Sequence, residues 1–191
     1  MEKQVVLASQ SPRRQELLHR LFDEFAVCPA DIDETMNPNL TPKDAVAELS
    51  ARKAQAVAGQ HPDALVIAAD TIVVCGTIFG KPADEADAAR MLRELSGRAH
   101  QVMTAVTVQC GGAIRTEVSV TQVHFRPLRE PEIADYIRSG EPMDKAGAYG
   151  IQGRGALFIE GIEGDYYGVM GLPVCLLYEM LKQLPGKDGL K

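Results

Sequence analysis

Tryptophan is absent, and five tyrosines with five phenylalanines bring the aromatic share to only 5%. Tyr149, Tyr166 and Tyr167 are scattered, so the sequence offers no stacking platform for single-stranded nucleic acid. Positive charge is also short. Twenty Lys and Arg face 26 Asp and Glu, a formal net charge of −6, which argues against general affinity for a nucleic-acid backbone. The four cysteines, Cys28, Cys75, Cys110 and Cys175, form no CxxC pair. They read as reduced thiols rather than a disulfide frame or a zinc site. His19, His61, His100 and His124 lack metal-binding spacing, and no Ser–His–Asp arrangement can be argued. No apolar run approaches the length of a membrane span, and none follows the first charges as a signal peptide would. The expectation is a globular cytoplasmic protein without membrane or nucleic-acid partners.

What remains is a chain of 191 residues with 46% hydrophobic content, enough for one domain with a substantial core. "KQVVLAS" (3–9) predicts a strand leading into a helix over 12–22, and "EFAVCP" a second short strand. Residues 30–42 form an acidic, Asn- and Pro-containing loop before a helix over 42–58. "ALVIAADTIVVCG" (64–76) is nearly continuous apolar sequence, the pattern of a strand buried on both faces at a sheet's centre. A helix over 84–96 stops at Gly97. Strands over 99–110 and 113–126 flank Gly111-Gly112 as a long hairpin. Beyond it lie a short helix over 129–140 and the glycine-rich "KAGAYGIQGRGA" (145–156). "LFIEGIEGDYYGVMG" reads as strand, turn and short strand. A last helix runs from Pro173 to about 184, and 186–191 read as a frayed tail. Strands and helices alternate, but the hairpin interrupts them. The pattern points to a mixed α/β sheet with flanking helices.

The most informative local feature is "SPRR". Ser11-Pro12 starts a helix, and Arg13 and Arg14 then occupy its first turn, where the dipole already presents positive partial charge. With Ser9 and Ser11 nearby, the pair fits a site for a phosphate group, which would accept charge-assisted hydrogen bonds from both guanidinium groups. A solvated surface pair beside an ordinary cap fits the local sequence equally well. Asp70 interrupts "VIAADTIVV", where an unpaired carboxylate is costly to bury. It reads as a cleft residue that holds a metal ion or activates water, or else as a buried aspartate satisfied by backbone amides. Asp33 and Glu34 in the acidic loop could join Asp70 as oxygen ligands for Mg²⁺ or Mn²⁺, or be solvated charges. Lys53 and Lys81 are surface lysines on the plainest reading. Lys81 has the stronger functional case, because the Gly80-Lys81-Pro82 turn fixes its direction.

Taken together, "LASQSPRRQELL", "ADIDE", "AADTIVV", "GKP", "LSGRAHQVMTAV", "DKAGAYGIQG" and "GVMGLPV" resemble the Maf family of nucleotide pyrophosphatases, in that family's order and over nearly the whole chain. "ADTIV" with "KAGAYGIQG" resembles the subgroup that hydrolyses dTTP and UTP. The methylated-GTP subgroup has Ser-Asp-Gln where this chain has Ala69-Asp70-Thr71. Gln10 departs from the smaller residue common at its place. The resemblance implies a curved mixed sheet related to the inosine-triphosphate pyrophosphatase fold, with residues 1–191 as one domain of two lobes about a central cleft. It also implies a divalent cation (Mg²⁺, Mn²⁺ or Co²⁺) and a homodimer. By position, Asp70 matches the catalytic proton acceptor, and Arg13, Thr71 and Gln152 match positions of substrate selection. Ser9, Arg14, Glu34, Lys53 and Lys81 match polar positions lining the cleft. Phosphate binding is therefore expected at Ser9, Arg13, Arg14, Lys53 and Lys81, and the metal at Glu34 and Asp70. The activity implied is hydrolysis of dTTP and UTP to monophosphate and pyrophosphate. The alternatives are a nucleotide-binding regulator of cell division without turnover and a methylated-GTP pyrophosphatase.

Overall fold

The computed structural model of the protein describes residues 3–184, so the expected tail at 186–191 lies outside the described residues. Among the described residues seven strands, β1 (Val5–Leu7), β2 (Ala26–Val27), β3 (Leu65–Cys75), β4 (Thr77–Phe79), β5 (Ala99–Cys110), β6 (Ala113–Phe125) and β7 (Ile159–Glu163), form one mixed sheet in the order β2-β1-β3-β5-β6-β7, with β4 paired to β3. The chain divides into two compact units. The first contains residues up to Asp70, Thr104–Ser119 and the stretch from Gly171, and the second contains Thr71–Met103 and Val120–Met170. Among the described residues no helix is long and apolar enough to cross a membrane.

The first unit begins with β1 (Val5–Leu7), α1 (Pro12–Leu18), β2 (Ala26–Val27) and α2 (Pro42–Gln60), and then enters β3 (Leu65–Cys75). Strand β1 runs parallel to both neighbours, pairing Val5, Val6 and Leu7 with Leu65, Val66 and Ile67 of β3. Helix α2 starts where Thr41 accepts the Asp44 N–H and Pro42 fills the first helical position. Its inward face carries Ala54 and Val57, which pack with Val6, Ala8, Val66 and Ala68 of the strands. One turn earlier the buried Ser50 hydroxyl lies 2.8 Å from Thr107 Oγ1, which is 2.9 Å from Thr116 Oγ1. That chain of hydroxyls fixes the helix's rotation against β5 (Ala99–Cys110) and β6 (Ala113–Phe125), so Lys53 faces inward with Ser50. Helix α6 (Val174–Lys182) closes the described part of this unit.

In the second unit, the end of β3 pairs antiparallel with β4 (Thr77–Phe79), followed by α3 (Glu85–Leu95) and α4 (Glu130–Arg138). Asp84 caps α3 by accepting the Asp87 N–H, and Gly97 and Gly140 follow α3 and α4 with positive φ. Arg93 makes two 2.8 Å bonds to the Glu130 carboxylate, joining the two helices. The core beneath them gathers Phe79, Leu92, Phe125, Tyr136, Tyr149 and Phe158. Strand β7 (Ile159–Glu163) pairs antiparallel with β6.

Two elements differ from expectation. Helix α1 ends at Leu18 rather than 22, because the Arg20 and Leu21 N–H groups bond three residues back to Leu17 and Leu18, tightening the last turn. The short strand expected in "DYYGVMG" is instead α5 (Tyr166–Met170). Asp165 explains it, since its carboxylate accepts the Tyr167 N–H at 2.9 Å and its carbonyl the Val169 N–H at 3.1 Å.

Candidate active site

Asp70 sits where β3 is partly released from its neighbours. Pairing with β1 ends at Ile67, and pairing with β4 begins at Val73. The carboxylate therefore lies at the carboxyl end of the parallel strand pair, where α/β sheets place their binding sites. It is 8% exposed and paired with Lys53, itself 7% exposed, whose Nζ lies 2.6 Å from Asp70 Oδ1. The same ammonium lies 2.9 Å from Glu34 Oε1, on the exposed side of the group. The interior position of Lys53 on α2 buries its stem, and its head reaches these two carboxylates. The plainest reading of Lys53 as a surface lysine is thereby corrected. Asp70 is satisfied by an ammonium rather than by backbone amides.

Of the arginine pair, Arg13 is half-buried in the first turn of α1 and Arg14 is anchored within the first unit. Arg14 is partly buried, donating from Nε to the Gly171 carbonyl at 2.8 Å and from Nη1 to Ser9 Oγ at 3.2 Å. Burial lowers the Arg14 guanidinium from its ordinary value, the Asp70 carboxylate opposes that shift, Arg13 adds to it, and Glu34 opposes it. Arg14, Asp70, Arg13 and Glu34 thus share one electrostatic neighbourhood. Ser9 is buried just past β1, and its hydroxyl also accepts the Ser11 N–H at 3.2 Å. Ser11 stands at the N-cap of α1 but makes no side-chain cap bond. Arg14 is accordingly held by Ser9 and Gly171, with Asp70 and Glu34 favouring its charge from elsewhere in the unit, and not by local acidic residues, of which the first turn has none.

Asp33 does not join Asp70. Its carboxylate accepts the Thr35 N–H at 2.9 Å, and its carbonyl accepts from Arg52. Among the described residues no three His, Cys, Asp or Glu side chains gather as a metal group. Glu34 and Asp70 are nevertheless brought together, each through one oxygen, by the Lys53 ammonium between them. Two carboxylates are what Mg²⁺ commonly takes from a protein when phosphate oxygens and water complete its shell, so the donor set fits such an ion.

The second unit holds the other three residues. Thr71 follows Asp70 on β3 and is half-buried, Lys81 lies exposed in the bend after β4, and Gln152 lies exposed in a turn of the glycine-rich segment. That segment wraps around one acid, Glu141, which sequence reasoning did not single out. Glu141 accepts from the Tyr136 hydroxyl at 2.8 Å, the Arg154 N–H at 3.0 Å and the Gly155 N–H at 3.3 Å. The Gly171 carbonyl was likewise unforeseen. Only the run of glycines around Gln152 signalled that this backbone is closely packed.

The fold defines the class first. The chain superposes on a HAM1 protein from Coxiella burnetii with a TM-score of 0.55 over 96% of this chain and 100% of that one, at 16% identity, a likeness of fold alone. The Maf-like protein family matches residues 4–184, and the chain belongs to that family. A Bacillus velezensis protein named dTTP/UTP pyrophosphatase is 50% identical over 184 residues, covering 96% of this chain and 97% of its own. A Pelotomaculum thermopropionicum protein of the same name is 50% identical over 184 residues, covering 95% and 96%.

Proposed function

We propose that this protein is a nucleoside triphosphate pyrophosphatase that hydrolyses dTTP and UTP to the monophosphate and pyrophosphate. The observation that carries this reading is the similarity at 50% identity, over nearly the full length of both chains, to proteins bearing that name. The Asp70–Lys53–Glu34 group beside Arg14 supports it, because the reaction needs a base next to cations.

Asp70 is the general base. Lys53 holds its Oδ1, which leaves Oδ2 outside that ion pair to accept a proton from water. The water oxygen bonds to the α-phosphorus as the bridging bond to the β-phosphate oxygen breaks, and pyrophosphate departs with that electron pair. Ser9, Arg13, Arg14, Lys53 and Lys81 are the phosphate-binding residues, with the guanidinium groups offsetting charge on the departing group. A divalent cation such as Mg²⁺, Mn²⁺ or Co²⁺, held by Glu34 and Asp70 with the phosphates, supplies further charge neutralisation. Base selection is assigned to Arg13, Thr71 and Gln152, following the family resemblance. The Gln152 amide offers both donor and acceptor, which suits the carbonyl and N–H edge of thymine and uracil. The reading extends to one catalytic domain over 1–191, a cytoplasmic location and a homodimer, for which light scattering should return twice the 20.7 kDa chain mass.

The direct test is pyrophosphate release by the purified chain from dTTP, UTP and methylated GTP with each metal in turn. Asp70→Asn is expected to lower kcat about 10²- to 10⁴-fold with nucleotide still bound, the loss typical of a missing general base. Near-wild-type turnover by the variant would remove Asp70 from this role. A wild-type preference for methylated GTP would overturn the pyrimidine assignment.

A further inference from the structure

Gln152 lies on a stretch of chain whose shape depends on Glu141. The Glu141 side chain emerges from a 3₁₀ turn (Glu141–Asp144) just after Gly140. Its Oε1 accepts from the Tyr136 hydroxyl and the Gly155 N–H, and its Oε2 from the Arg154 N–H. Tyr136 passes the restraint on, because its oxygen accepts the Gly150 N–H at 3.0 Å. The bonds therefore clamp the chain two residues before Gln152 and two and three residues after it. The glycines are there for the same reason. A Cβ at Gly153 would fall on the Glu141 carboxylate, one at Gly155 would meet the Gly150 carbonyl at 2.6 Å, and one at Gly150 would meet Lys145 Cε at 2.6 Å. Burial alone would push the Glu141 carboxyl up. The Arg154 N–H, the Tyr136 hydroxyl, the Gly155 N–H and Lys145 together hold it below its ordinary value, so the acceptor is a full carboxylate.

We propose that Glu141 is a positioning residue for nucleobase selection, acting without substrate contact by holding the 150–155 turn in the shape that presents Gln152. This rests on the pyrimidine reading above and deepens it. A glutamine at 141 cannot replace the acid, because its single oxygen can serve only one side of the clamp while its NH₂ faces a donor on the other.

The test compares kcat/KM for dTTP and for dCTP, whose base reverses the donor and acceptor at the edge an amide would read. It uses wild type, Glu141→Gln, Gln152→Ala and the double variant. Glu141→Gln is expected to lower the dTTP-to-dCTP ratio about tenfold, the size of one well-formed hydrogen bond, with kcat/KM for dCTP within about twofold of wild type. Adding it to Gln152→Ala should cost no further selectivity, since both changes act through one amide. Equal losses on both nucleotides, an unchanged ratio, or losses that multiply in the double variant would overturn the proposal. Tyr136→Phe removes the hydroxyl from the same clamp and should reproduce the effect in weaker form, which keeps the test decisive if Glu141→Gln does not fold. The wild-type arm stands apart. Absence of preference for dTTP there would sink the pyrimidine reading itself, before any variant is compared.

Discussion

A buried ammonium between two carboxylates leaves its neighbours exposed to a single substitution. Lys53→Met keeps the length and apolar stem of the side chain but strands Asp70, which is 8% exposed, without its cation. Breaking a buried pair from one side costs about 3–5 kcal/mol, and the added change Asp70→Asn should recover part of that by removing the orphaned charge. Urea unfolding of the single and double variants measures both. If Lys53→Met unfolds at the wild-type denaturant concentration, the pair is not held as the structure shows it. Arg14 makes a different point about single residues. Its role could be suspected from its place at the wrong end of a helix, but its anchor, the Gly171 carbonyl, is 157 residues away in sequence. No local pattern carries a contact of that kind.

Individual elements were legible to the extent that their signals are local. Pro42 after Thr41 starts α2, Gly97 follows α3, and the apolar run over 64–76, interrupted by Asp70, becomes β3, flanked by β1 and β5 in the sheet. The site was legible only in part. Asp70 stood out because a charge in an apolar strand demands a partner, yet which partner depended on the rotation of α2. That rotation is set by Ser50 meeting Thr107, 57 residues on. Glu141 gave no signal, being one acid among 26 Asp and Glu. The α5 segment carries a strand-like signal, since aromatic and β-branched residues favour strands, and the Asp165 cap that makes it helical outweighs that signal. Glycines allow an element-scale check. Gly147 has φ +69°, and a Cβ there would meet Val73 Cγ2 of β3 at 2.8 Å, so Gly147→Ala should destabilise by about 1–3 kcal/mol. Gly59 lies inside α2 with open space around it, and Gly59→Ala should stabilise by about 0.4–1 kcal/mol. Thermal unfolding of the two variants should therefore shift in opposite directions.

Stability of the whole molecule carries a pH dependence from one buried ring. His100 is 2% exposed, its Nε2 lies 2.8 Å from the Tyr149 hydroxyl, and burial lowers its pKa from 6.5 to about 4. Between those values the unfolded chain binds a proton that the folded chain refuses. Unfolding is then favoured by acid, and this contribution to stability is complete above pH 6.5 and lost as pH falls toward 4. The drop amounts to about 3 kcal/mol at the lower end. Urea midpoints between pH 7 and 4.5 should show it, and His100→Gln should flatten that part of the curve. An unchanged slope in the variant would assign the acid sensitivity to other groups.

The division of the chain has a consequence for anyone who would shuffle it. The boundaries between the compact units fall at 70/71, 103/104, 119/120 and 170/171, the first three inside β3, β5 and β6. No single crossover with a homologous gene can exchange one unit and leave the other intact. A chimaera joined once at the Asp70–Thr71 peptide replaces the second unit whole but leaves mixed ancestry in the unit built from three segments, where a foreign hairpin tip and a foreign final helix share one compact body with a native α2. Clean grafting of selectivity from another lineage needs four junctions, three of them in the middle of a strand.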